Sequence, residues 1–239
     1  MTYESWNGFR LARDELNGRE VIVVVPTCQP NGKWMIKTEY FGAFPNAEIA
    51  LLEKGYHLAY IQNKTRWHLP EDTEAKAALH EYMLANYPVG EKCVPVGMSC
   101  GGMQAIYFAT KYPQYVSCLY LDAPVVNLLS CPAGLGKGGN DMMQEMTEHT
   151  GRTITDLISF RDHPLDRIPA LIESKIPVIL VCGDSDDVVP YEENGKFIKE
   201  AYENAGLTIK TVLKPGCGHH PHGLDNPAEI VDFIMQYDK

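Results

Sequence analysis

Six short apolar runs, each with a helical period close by, leave this 239-residue chain few folds to adopt. Residues 21–26 (VIVVVP) are apolar without interruption, which fits a strand buried on both faces. Comparable runs occupy 57–62, 93–98, 118–122, 177–182 and 208–213. Between them, Ala75, Ala78, Leu79, Tyr82 and Met83 recur at helical spacing, and Asn46 is placed to cap a helix carrying Ile49, Leu51 and Leu52. Near the end, Asn226, Pro227 and Glu229 mark a helix start, with Ile230, Phe233, Ile234 and Tyr237 on one face. Alternation of this kind along the whole chain predicts an α/β fold, a mostly parallel sheet with helices on both faces. A single domain over residues 1–239 is expected, because α/β folds of this length commonly run as one unit.

Two stretches break the rhythm. Residues 6–17 are polar and alternating, which predicts an antiparallel edge strand leading into Val21. Residues 125–175 hold a glycine-rich stretch at 131–141 and no strand signal, so a small cap-like insertion over one end of the sheet is expected. Pro95 sits inside a run that should be a central strand, where its missing N–H predicts a local bulge.

Charge narrows the possible partners. Lys and Arg total 21 against 31 Asp and Glu, a net charge of −10, which disfavours nucleic acid and anionic membrane surfaces. No apolar run reaches the roughly 18 residues of a spanning helix. The charged start, MTYESWNGFRLARDEL, has no signal-peptide core. Seven scattered cysteines include no C-x-x-C pair. Reduced thiols in a cytoplasmic protein are the expectation.

Gly97-Met98-Ser99-Cys100-Gly101 fits G-x-S-x-G, with an apolar strand before it and an apolar helical stretch after it. A serine on such a turn has strained dihedrals, so its neighbours two residues away must be small, and Gly97, Gly101 and Gly102 meet that need. The helix start also aims backbone N–H groups at a developing oxyanion. Ser99 is therefore the candidate nucleophile. Cys100 beside it is expected to pack inward and not to act as a reactive thiol. Trp34, Trp67 and His68 are expected in loops near the site edge, either stacking on substrate or covering core.

A serine hydroxyl needs a base, and the base needs an orienting carboxylate. Asp184, Asp186 and Asp187 follow the fifth apolar run, and His219, His220 and His222 follow the sixth. Asp122 ends the fourth run and is another possible acid. The rival use of these residues is a metal site, three histidines completed by one of the aspartates. Adjacent histidines in a Gly/Pro loop rarely converge on one ion, and a metal would leave the serine turn unexplained.

The order Ser, Asp, His on successive loops resembles the α/β-hydrolase superfamily, over most of the chain from Val21 to Phe233. Within it, G-M-S-C-G-G, G-D-S-D-D-V-V-P and G-C-G-H-H-P-H-G-L are similar to a group of small bacterial predicted serine esterases. The resemblance implies an α/β-hydrolase fold, Ser99 as nucleophile, His219 as base and Asp186 as acid. It also implies an oxyanion hole made by the Cys100 N–H and a second N–H from Cys28, with Thr27 the alternative. The His-Gly usual in that loop is absent, the sequence reading Pro26-Thr27-Cys28-Gln29. Cleavage of a small carboxylic ester, acetyl among the candidates, through an acyl-enzyme and without cofactor or metal is the expected function. Amide or peptide cleavage by the same residues, or a catalytically silent binding protein, are the alternatives.

Overall fold

In a computed structural model, which describes residues 1–139 and 141–239, the strands form one nine-stranded sheet. Asn140, within the glycine-rich stretch 131–141, lies outside the described residues. The first three strands, β1 (Thr2–Trp6), β2 (Phe9–Leu16) and β3 (Arg19–Val25), form an antiparallel meander. Its turns are the dipeptides Asn7-Gly8 and Asn17-Gly18, all four residues at positive φ, the conformation that two-residue hairpins require. The antiparallel strand expected over residues 6–17 is β2, and the edge itself is formed by β1, which precedes that stretch.

From there the sheet is parallel. Its strands are β4 (Trp34–Lys37), β5 (His57–Ile61), β6 (Val94–Met98), β7 (Leu119–Asp122), β8 (Val178–Gly183) and β9 (Ile209–Lys214). The spatial order is β1-β2-β3-β5-β4-β6-β7-β8-β9, and β3 pairs antiparallel with β5. Strand β4 was not expected. It is four residues long, follows Pro30-Asn31-Gly32, and lies between β5 and β6. Trp34, expected in a loop, is a buried residue of β4 whose indole N–H donates to Gly90 O at 3.0 Å.

Strand alternation sorts the core into two layers. Val21 and Val23 face one side with α2 (Pro70–Asn86), α3 (Cys100–Lys111), α6 (Ile168–Ser174) and α7 (Gly195–Asn204). Ile22 and Val24 face the other with α1 (Asn46–Leu52) and α8 (Ala228–Tyr237). Asn226 Oδ1 accepts from Ala228 N at 3.1 Å and so starts α8 one residue later than its cap pattern suggests. A third cluster gathers Met103 and Tyr107 of α3 with Val125, Leu128, Met146 and Leu157. Those last four come from the 125–175 segment, which carries α4 (Met143–Thr150) and α5 (Ile154–Ser159).

Pro95 leaves the ladder to β4 unbroken, pairing in register with Ile36. The expected irregularity falls on the β7 side, where three steps from Cys93 to Val96 face four from Val116 to Tyr120. Cys93 N and Ser99 N donate toward the β7 side, so strand alternation turns the proline nitrogen the same way. There the ladder is open between the Cys93–Val116 bridge and the Val96–Tyr120 pair.

Candidate active site

Ser99 stands between β6 and α3 at φ 53° and ψ −121°. Glycine makes this turn sterically possible. A β-carbon on Gly97 would meet Gly101 O at 2.5 Å, and one on Gly102 would meet Pro124 Cβ at 2.4 Å. Ser99 N donates to Asp122 O at 2.9 Å, and its carbonyl accepts from Val125 N at 3.0 Å. The strained residue is thereby held from the β7 side as well.

The loops after β8 and β9 meet above this turn. They approach so closely that a β-carbon on Gly183 would lie 2.2 Å from Cys217 O. Ser185 N donates to Cys217 O at 3.0 Å, and Asp184 Oδ1 accepts from Gly216 N at 2.7 Å. Asp184 thus joins the two loops, Asp187 is exposed, and Asp186 turns inward. One Asp186 oxygen accepts from Val188 N and Val189 N at 2.9 and 2.8 Å. The other lies 2.7 Å from His219 Nδ1, and His219 Nε2 lies 3.0 Å from Ser99 Oγ. Of the expected site residues, Ser99, His219 and Asp186 are brought into one hydrogen-bonded line.

A second acid–histidine pair stands beside the first. Asp122 Oδ1 is 2.6 Å from His222 Nδ1, while Asp122 Oδ2 accepts from Gly223 N at 2.6 Å and the Tyr120 hydroxyl at 3.1 Å. The His219 and His222 rings meet edge-on with centroids 4.8 Å apart. Partial burial, then the neighbouring His219 and His222, lower the His220 pKa.

Cys100, the first residue of α3, has an N–H with no intrahelical acceptor, at the turn that presents Ser99. Its side chain packs in the third apolar cluster, where burial pushes the thiol up to about 11. Cys28 is not at the site. Strand β3 runs antiparallel to β5, so its C-terminal end, with Thr27 and Cys28, emerges at the sheet edge opposite Ser99. The exposed Cys28 thiol instead faces the carbonyls of Leu52 and Glu53. The early strand that ends beside Ser99 is the unexpected β4, and the loop after it carries Tyr40. Thr38 anchors that loop through its N–H to Val96 O and its hydroxyl to Gly101 O, and Asn63 Nδ2 donates to Thr38 O and Glu39 Oε2.

Tyr40, Phe44, Met98, Met142 and Val188 help to line a cleft of about 280 Å³ that opens on Ser99 and the three histidines. Burial raises the Tyr40 pKa and keeps its hydroxyl protonated, close to Cys100 and Arg66. Arg66 also reaches the cleft and makes a two-pronged contact with Glu145 of α4. Trp67 and His68 do not line it. Trp67 packs in the third cluster, and His68 stacks on Tyr107 with ring centroids 3.8 Å apart.

Residues 71–237, well over half of the chain, match the prolyl oligopeptidase family. The chain belongs to that family. That membership, on this sheet, agrees with the α/β-hydrolase superfamily expected from sequence. Similar solved structures include an acylaminoacyl peptidase from Pyrococcus horikoshii, 11% identical with a TM-score of 0.72 over 99% of this chain. The dipeptidyl peptidase 4 of Porphyromonas gingivalis is 14% identical with a TM-score of 0.70 over 98% of this chain. This chain spans only 42% and 36% of those two proteins. An α/β hydrolase, MGS-MChE2, from a Moroccan lagoon-sediment metagenome is matched over its entire length, at 13% identity and a TM-score of 0.62. At these identities the likeness is one of fold. Among the described residues, no helix is long and apolar enough to cross a membrane.

Tyr40 is the site residue that reading the sequence passes over. Its signal was the run Trp34-Met35-Ile36-Lys37, too short and too mixed to stand out as a strand.

Proposed function

We propose that this family member hydrolyses the amide bond of a short, N-blocked acyl amino acid or peptide through an acyl-enzyme. The observation that carries the reading is the continuous line from Ser99 Oγ through His219 to Asp186, at 3.0 and 2.7 Å, at the floor of a small cleft. Ser99 Oγ attacks the carbonyl carbon while His219 Nε2 takes the hydroxyl proton. Asp186 holds the Nδ1–H and stabilises the imidazolium. The Cys100 N–H and Tyr40 stabilise the tetrahedral oxyanion. His219 returns the proton to the departing amine. It then draws a proton from the water that frees the acyl group.

Family membership favours an amide over an ester. The wall of the cleft favours a blocked amino terminus: among its described residues Arg66 is the one fixed charge, and Glu145 pairs with it. A free ammonium group would meet no unpaired carboxylate there. Ester cleavage is the second reading, favoured by the apolar lining of Phe44, Met98 and Met142 and by the ease with which the same residues expel an alkoxide.

The test compares N-acetyl-alanine p-nitroanilide, its p-nitrophenyl ester and alanine p-nitroanilide. Turnover of the blocked anilide well above the free-amine compound is expected, with fluorophosphonate labelling of Ser99 that is absent in Ser99→Ala. Cleavage of the ester alone would establish the second reading, and failure of Ser99 to label would remove the hydrolase mechanism.

A further inference from the structure

His219, His220 and His222 each present one ring nitrogen to a common space, with the three atoms within 4.8 Å of one another. The rings are mutually edge-on, at centroid distances of 4.8, 4.8 and 5.1 Å. Two of them are already held as metal-binding histidines usually are, by a carboxylate on the far ring nitrogen: Asp186 on His219 Nδ1 and Asp122 on His222 Nδ1. That arrangement fixes both rings and leaves each Nε2 lone pair for the cleft. His220 is exposed, stacked on Phe44 at 5.6 Å, and is the ring with room to turn.

A tetrahedral ion with nitrogen ligands at about 2.0–2.1 Å places them roughly 3.3 Å apart, so the cluster must close by no more than about 1.5 Å. His220, the exposed ring of the three, is the one placed to supply that closure. Three imidazoles, with no carboxylate directed into the space, select zinc, copper or nickel over calcium or magnesium.

We propose that this triple-histidine cluster is an inhibitory site for a zinc-type divalent cation, reversibly holding the hydrolase off. The inference rests on His219 being the base. The ion occupies His219 Nε2, the same lone pair that lies 3.0 Å from Ser99 Oγ. With that lone pair engaged, Ser99 keeps its proton and is not activated. A chelator frees the imidazole and restores turnover. Metal here is an off-switch and supplies no chemistry to the reaction.

Two readouts on the full chain test this. Cobalt(II) titration should produce the intense visible absorption of a tetrahedral site, a signal independent of activity, and excess zinc should erase it. In parallel, about 10 μM free zinc should lower kcat/KM at least tenfold and slow fluorophosphonate labelling of Ser99, with EDTA reversing both. His220→Ala and His222→Ala should lose the cobalt band, and Asp122→Asn should weaken it by about 10–100-fold. Zinc sensitivity relative to each variant's own turnover should fall in step. Absence of the band in the parent would overturn the proposal, as would a band accompanied by undiminished turnover. Labelling of Ser99 in metal-free protein reports on the hydrolase reading separately, so the two ideas fail in different tubes.

Discussion

Asp186 and Asp122 each hold a histidine, each is buried, and each sits where a parallel strand ends beside Ser99. Only one of the two histidines touches the serine. His219 Nε2 is 3.0 Å from Ser99 Oγ, which makes Asp186 the acid of the proposed mechanism and leaves Asp122 orienting His222. Replacing the acid by its amide turns the imidazole to the wrong tautomer, so Asp186→Asn should fold like the parent and lose about 10⁴ in kcat. Asp122→Asn should lose far less, and collapse of that variant instead would exchange the roles of the two aspartates. In the proposed mechanism Tyr40, which lines the cleft with Ser99, takes the second-donor place expected of Cys28. Removing one such donor costs about 10²–10³ in kcat, so Tyr40→Phe should show that loss with KM nearly unchanged. Parental kcat in Tyr40→Phe would move the donation from the hydroxyl to the backbone, whereas Cys28→Ala should be silent in either case.

At the scale of elements, the site is an agreement between loops. Ser99 belongs to the β6–α3 turn, Asp186 to the loop after β8 and His219 to the loop after β9. The last two are held together at Gly183, which packs directly on the backbone of Cys217 and Gly218. A methyl group there has no flexible side chain to displace, only carbonyl oxygens at 2.2 and 2.5 Å. Gly183→Ala must therefore part the loops and draw His219 away from Asp186. Overpacking of this kind costs about 1–3 kcal/mol. A displacement near 1 Å at reacting groups costs about 10² in rate. Both losses are expected, read as a lower urea midpoint and a lower kcat in a variant with unchanged far-ultraviolet circular dichroism. Parental kcat would show that the loops reach register without this contact.

For the whole molecule, acid sensitivity follows from histidines that the fold keeps neutral. His68, buried between Tyr107 and Thr73, has its pKa lowered to about 3, by burial first and then by Lys76, Arg152 and Arg167. Burial also lowers the pKa of His57. Once unfolded, either ring protonates near its ordinary value of 6.5. As pH drops from 6.5 toward 3, the unfolded chain binds a proton at position 68 that the folded chain refuses, so stability declines across that window. His68→Gln removes the titration while keeping a polar partner for Thr73. It should start less stable at about pH 7, having lost the Tyr107 stack, yet lose less between about pH 7 and pH 5 in urea titrations. Equal losses in parent and variant would assign the acid sensitivity elsewhere.

Local pattern was enough for much of this. A turn that must be strained announces itself through Gly97, Gly101 and Gly102. Buried parallel strands announce themselves as unbroken apolar runs, and the order Ser99, Asp186, His219 follows from the loops that end such strands. Strand order and direction are another matter, because they depend on which distant segments pair. The short β4 carries too little apolar sequence to be seen, yet its insertion between β5 and β6 leaves β3 antiparallel to its neighbour. That reversal sends Cys28 to the far edge of the sheet and brings Tyr40 to Ser99. Pairing also decided which of the three aspartates at 184, 186 and 187 faces His219, since one residue along a loop changes a side chain's direction completely. The close meeting of three imidazoles likewise arises only when the loop after β9 folds back over the end of β7, a contact between residues 100 positions apart.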